Sequence, residues 1–155
     1  MSTERALPIL QAARLEQRHR DAAIAAGEHG LNPREGRVLV ADGDSERLKR
    51  HLEASGFEVL QIAGYGVQKN AQLTDLPVHA SYKIAKRLYA KARGADGIFI
   101  ACPRWPTITD VAVLEEEIGK PVITSSLACI WYAMKMIDVK EDVKGFGRLM
   151  ASLGT

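Results

Sequence analysis

From Arg37 onward the hydrophobic positions fall into short apolar blocks separated by longer polar stretches with helical spacing. Arg37 to Ala41 (Arg-Val-Leu-Val-Ala) is an apolar run closed by Asp42, Gly43 and Asp44, and it predicts a strand. Ser45 to Ser55 predicts a helix, because Leu48 and Leu52 are one turn apart and Gly56 follows as a stop. Phe57 to Ile62 predicts the next strand, and Gly64 to Leu76 a Gly-rich loop ending before Pro77. Val78 to Ala92 predicts a helix with Ile84, Leu88 and Ala92 on one face and Gly94 beyond its end. Gly97 to Ala101 predicts a third strand. Ile108 to Ile118 predicts a helix capped by Thr107, with Asp110 three residues later as its capping-box partner. Pro121 to Thr124 predicts a fourth strand and Leu127 to Ile137 a last helix.

Short strands that are apolar on both sides and alternate with helices imply an α/β fold, a parallel sheet covered on both faces. With four strands the expected order is 2-1-3-4, flavodoxin-like. Ligands of such sheets bind past the carboxyl ends of the strands, where the strand order reverses. That switch point falls between the first and third strands, next to Asp42-Gly43 and Cys102-Pro103. Residues 1–36 form a separate N-terminal part: residues 4–27 read as an exposed or partner-dependent helix with Leu7, Ile9, Leu10 and Ala13, and Leu31 to Gly36 as a loop. The α/β domain is expected over residues 37–150.

Composition narrows the functional classes. The chain has 155 residues, 46% of them apolar and 26% charged, the profile of one soluble globular domain. A net charge of +2 gives no reason to expect nucleic acid as a partner, and Glu46, Arg47, Lys49, Arg50 and Glu53 intersperse their signs as a solvated helix face does. No stretch approaches the roughly 20 apolar residues of a membrane span. The mixed charges of Met1 to Arg5 do not read as a secretory signal. Two cysteines, Cys102 and Cys129, suggest reduced thiols and a cytoplasmic setting.

Cys102 is the candidate reactive group. It follows an apolar strand and precedes Pro103-Arg104-Trp105-Pro106, which feeds a helix. Free N–H groups at a helix start favour thiolate over thiol, and Arg104 adds charge or grips a carboxylate in a two-pronged contact. A thiolate there suits proton transfer next to a carboxylate or addition to a double bond. A buried cysteine acting as a small hydrophobe is the equal alternative. Thr124-Ser125-Ser126 offers three hydroxyls for a carboxylate or phosphate, or one ordinary cap. Cys129 reads as helix packing beside Ala128, Ile130 and Trp131. His19, His29, His51 and His79 show no metal spacing, and His51 and His79 read as surface residues on helices. No zinc set, Walker loop or dinucleotide fingerprint occurs, and Gly64-Tyr65-Gly66 lacks the following helix that a phosphate loop needs.

An ordered set of segments resembles the maleate isomerase and arylmalonate decarboxylase group of the aspartate/glutamate racemase superfamily. These are Gly56 to Val59; Gly94 to Cys102 with Thr107; Leu114-Glu115 with Gly119 to Val122; Ser125 through Ala128 to Trp131; and Gly145 to Leu149. They span about residues 37–150 and resemble the second, C-terminal domain of that fold. The resemblance implies a single half of a two-domain enzyme with no metal or organic cofactor. It implies Cys102 as the acid/base or nucleophilic group. Pro103, Arg104, Thr107, Ser125 and Ser126 would then bind a small carboxylate such as maleate or an arylmalonate. The reaction would be isomerisation, racemisation or decarboxylation. The other half would come from a homodimer or a separately encoded first domain.

Three features depart from the pattern. Residues 1–36 are too few to supply the first domain. The family's Tyr and Asn past the first strand are replaced by Asp42-Gly43-Asp44, which would repel a dicarboxylate. The loop after Cys102 is bulky, and Pro103 removes one N–H that would otherwise serve an oxyanion. A non-catalytic binding domain derived from that family, or a truncated half of such an enzyme, is the alternative.

Overall fold

The computed structural model describes residues 37–41, 45–64, 76–77, 79–101 and 106–154. The expected N-terminal helix, the Asp42-Gly43-Asp44 turn and most of the Gly64 to Leu76 loop lie outside the described residues. So do Cys102, Pro103 and Arg104.

The described elements are β1 (Arg37–Ala41), α1 (Ser45–Ala54), β2 (Glu58–Ala63), α2 (Ala80–Lys91), β3 (Gly97–Ile100), α3 (Ile108–Ile118), β4 (Val122–Thr124) and α4 (Ser125–Met136). A short 3-10 turn, Met150–Ser152, follows near the end. Among the described residues the strands form one parallel sheet in the order β2-β1-β3-β4, as the alternation of elements implies. Val38 pairs with Val59 but Leu39 with Gln61, so the register slips by one residue and Leu60 is left without a counterpart.

The β1-to-β2 and β2-to-β3 connections run in opposite directions across the sheet. Right-handed crossovers therefore put α1 and α2 on opposite faces. α1 packs on β2 through Leu48 and Leu52, both buried, while Glu46, Arg50 and Glu53 face solvent. α2 lies across β1, β2 and β3 and packs beside α3, burying Ile84, Ala85 and Leu88. β3 is buried along its whole length, as a central parallel strand should be.

Several ends are set by local chemistry. Gly56 (φ +95°) turns the chain out of α1, and Gly119 (φ +69°) ends α3 in the left-handed conformation that glycine adopts without steric cost. α4 starts at Ser125, two residues before the expected Leu127, because Thr124 Oγ1 accepts the Leu127 N–H at 3.1 Å. Ser125 and Ser126 therefore belong to the first turn of a helix, not to a loop.

Candidate functional site at the carboxyl edge

β1 and β3 remain side by side to the end of the sheet. Ala101 N–H donates to Ala41 carbonyl at 2.9 Å, one residue past the last pairing of the two strands. Two alanines thus floor the switch point, and the next residue in the chain is Cys102. The structure describes the frame around Cys102, Pro103 and Arg104, not those residues themselves.

The frame is made by helix starts. Ser125 is buried at the head of α4, and its hydroxyl makes a long contact, 3.5 Å, with the Ile100 carbonyl. That contact ties the β4–α4 junction to the end of β3, two residues before Cys102. Ser126 beside it is half-buried. Thr107 is fully buried at the head of α3. No hydrogen bond among the described residues joins Thr107 to Ser125 or Ser126.

The expected capping box at α3 does not form. Thr107 makes no side-chain cap, and among the described residues its buried Oγ1 has no hydrogen-bond partner. Its backbone is already helical (φ −96°, ψ −21°), whereas a side chain caps best from extended backbone. Asp110 does not reach back to Thr107 with its carboxylate. Instead Oδ1 lies 2.9 Å from His79 Nδ1, and Oδ2 accepts from Ser81 Oγ at 2.8 Å. An ionised carboxylate only accepts, so a bond from His79 to it runs from an Nδ1–H.

His79 was expected on a helix surface. It precedes α2 as its N-cap residue, 65% exposed, with its ring fixed by an Asp110 side chain only 4% exposed. Nothing in local spacing links residues 79 and 110. The one sequence signal was Asp110 itself, an acidic residue in the first turn of α3.

Farther along the α2–α3 seam, Glu117 accepts from Lys86 and from Tyr82. The Lys86 hydrogen bond, with that of Tyr82 behind it, holds the Glu117 carboxyl below its ordinary range. Cys129 is half-buried on α4. Among the described residues no group of three or more His, Cys, Asp or Glu side chains gathers closely enough to hold a metal ion. No helix among them is long and apolar enough to cross a membrane.

Residues 35–150 match the arylmalonate decarboxylase family. The chain belongs to that family. It is 24% identical over 130 residues to the arylmalonate decarboxylase of Bordetella bronchiseptica, covering 82% of this chain and 54% of that one. It is 23% identical over 110 residues to a maleate isomerase of Alcaligenes faecalis, covering 70% of this chain and 43% of the relative. Among solved structures, a Gly-to-Cys variant of arylmalonate decarboxylase superposes with TM-score 0.73 at 19% identity, over 84% of this chain and 57% of that one. A Cys-to-Ser variant of Nocardia farcinica maleate cis-trans isomerase, carrying a covalently bound succinylcysteine intermediate, superposes with TM-score 0.66 at 20% identity, over 83% of this chain and 53% of that one. These likenesses show the α/β fold. The chain spans about half the length of the curated relatives it matches, and the match falls on their C-terminal portion.

Proposed function

We propose that this chain is a cofactor-independent, cysteine-dependent enzyme acting on a small carboxylic or dicarboxylic acid. The reaction is isomerisation, racemisation or decarboxylation, on compounds such as maleate or an arylmalonate. One observation carries the reading: in a chain that matches the family over residues 35–150, Cys102 comes two residues after the end of β3, next to the switch point of the sheet. Cys102 serves as acid, base or nucleophile. Its neighbours Pro103 and Arg104, with Thr107, Ser125 and Ser126, hold the carboxylate. The buried Thr107 hydroxyl, which has no partner among the described residues, supports a polar ligand there. The Ser125 contact with Ile100 supports its place at the end of β3.

The chain acts as one half of a two-domain, racemase-like arrangement. A second copy or a separately encoded first domain completes it. The test combines maleate isomerisation, arylmalonate decarboxylation and racemisation assays with Cys102→Ala in parallel, and a solution mass measurement. Activity that survives Cys102→Ala sinks the reading.

The acidic Asp42-Gly43-Asp44 run past the first strand, which would repel a dicarboxylate, favours a second reading. In it the fold is kept as a non-catalytic binding domain. Cys102 would then titrate as an ordinary thiol near pH 8.5 and alkylate slowly at neutral pH.

A further inference from the structure

Three of the described helices turn charge to solvent, and the fourth does not. Exposed positions include Glu46 and Arg50 on α1, Lys83 and Arg87 on α2, and Glu116 and Glu117 on α3. On α4 every exposed position is apolar: Ile130, Ala133 and Met136, followed by exposed Ile137 as the C-cap. The side chains stand well out of the fold, Ile130 39% exposed, Met136 72% and Ile137 75%. Residues 130, 133 and 137 recur at one-turn spacing, so they line one stripe. Half-buried Ser126 and Cys129 extend the same uncharged face to the first turn. Lys135, the one Lys or Arg on α4, lies off the stripe with its ammonium 5.6 Å from the centre of the Trp131 ring.

α4 does not need this face for its own folding. Its opposite side, Leu127, Ala128 and Trp131, is already in the core, and the helix packs against the edge strand β4. A helix on the surface of a sheet ordinarily keeps its outer face polar, and an apolar stripe along its whole length marks a contact.

The missing charge says what meets it. A two-fold contact sets a surface against itself, so a charge near its centre meets its own sign. The outer faces of α1, α2 and α3 carry such charges, and that of α4 carries none. Side-chain size fits the same operation. With the two helices antiparallel and the axis midway between residues 126 and 137, Ile130 opposes Ala133 of the second copy, and Ile137 opposes its Ser126. Each rung sets a large side chain against a small one, as helices about 8–10 Å apart require. The antiparallel arrangement also opposes the two helix dipoles.

We propose that the outer face of α4 is a two-fold contact with a second copy of this chain, the helices antiparallel and centred on Ile130 and Ala133. The contact goes beyond the functional reading above and does not depend on Cys102. It places the first turns of the two helices, and with them the two candidate sites, at opposite ends of a pair about 18 Å long.

The experiment is sedimentation velocity of the full chain over a dilution series, with circular dichroism to check that each variant folds. The wild type moves between 17.0 kDa and twice that mass as concentration rises. Ile130→Lys and Ala133→Glu each raise the dissociation constant at least about tenfold, because each buries a charge with no partner in the contact. Mixed in equal amounts, the two variants dimerise again, since the introduced base of one faces the introduced acid of the other. Ile137→Glu, beyond the last residue of the helix, repeats the loss if either helix variant fails to fold. A wild type that stays at 17.0 kDa at every concentration overturns the proposal. So does a dimer that folded Ile130→Lys and Ala133→Glu leave intact, or a mixture of the two that stays monomeric. Mass is the readout throughout, so the result of the Cys102→Ala assays bears on the enzymatic reading alone.

Discussion

The Glu115 carboxylate on α3 accepts the backbone N–H of Arg148, 33 residues later, at 2.7 Å. Its other oxygen accepts the Val122 N–H at 2.9 Å, at the start of β4. One buried side chain thus joins a helix, an edge strand and the C-terminal segment. Two of the sequence segments that carry the family resemblance, Leu114-Glu115 with Gly119 to Val122 and Gly145 to Leu149, meet there, at the end of the sheet away from the candidate site. Their shared role is to brace the fold.

Glu115→Gln places an NH2 group against one of those backbone donors. The expected loss is about 1–3 kcal/mol, the cost of leaving a buried donor unsatisfied, read from urea unfolding.

The pH dependence of this brace has a definite sign. Burial raises the Glu115 pKa above 4.5, against the opposing pull of the Val122 and Arg148 N–H groups. The folded state therefore holds this proton more tightly than the unfolded chain. The contribution is fully present below pH 4.5 and is lost as pH rises through the folded value. The stability difference between wild type and Glu115→Gln, measured across that window, should shrink with rising pH.

Gly147 sits under the same brace at φ +87°, and a Cβ built there would lie 2.5 Å from Val111 Cγ1. Gly147→Ala combines an unfavourable backbone conformation with overpacking against the buried Val111. It should cost about 1–3 kcal/mol and loosen the segment that carries Leu149 and Met150. Hydrogen exchange at the Arg148 amide, held by Glu115, would report the loosening.

At the sheet's amino edge, Arg37 and Asp96 are joined by one backbone–backbone bond and one bond from backbone to side chain. Asp96 N–H donates to the Arg37 carbonyl at 2.7 Å, and the Arg37 N–H donates to Asp96 Oδ2 at 3.0 Å. The Arg37 backbone N–H, then its side chain, hold the Asp96 carboxyl below its usual range of about 3.8. This stabilisation is present above pH 3.8 and is lost as pH falls through the folded value. Asp96→Ala should cost about 1 kcal/mol near neutral pH, mostly through the backbone bond, because the partly exposed ion pair adds little. The difference should close in acid unfolding curves.

Thr124→Val keeps the shape of a fully buried residue while removing the hydroxyl that caps α4. The expected cost is about 1 kcal/mol, a fall of about 2–4 °C in Tm. Since the cap starts the helix that presents Ser125, the same variant should also weaken maleate binding if Ser125 holds the carboxylate.

The sequence by itself determined the alternation of elements, the parallel sheet and the placing of Cys102 just past β3. It also determined the glycine stop at Gly56. Each of these is written within a few residues, in hydrophobic spacing or a backbone preference, so it is legible without knowing what packs against it. Only the tertiary structure decided what the buried carboxylates do. Asp110 looked like half of a capping box with Thr107, three residues away; packing of α2 on α3 brought Ser81 and His79 within reach, and two donors on one buried carboxylate outcompeted a local cap. Glu115 looked like part of a motif and proved to be a brace to residue 148. Buried acids must find donors, but which donors are close is set by helix packing across about 30 residues of chain.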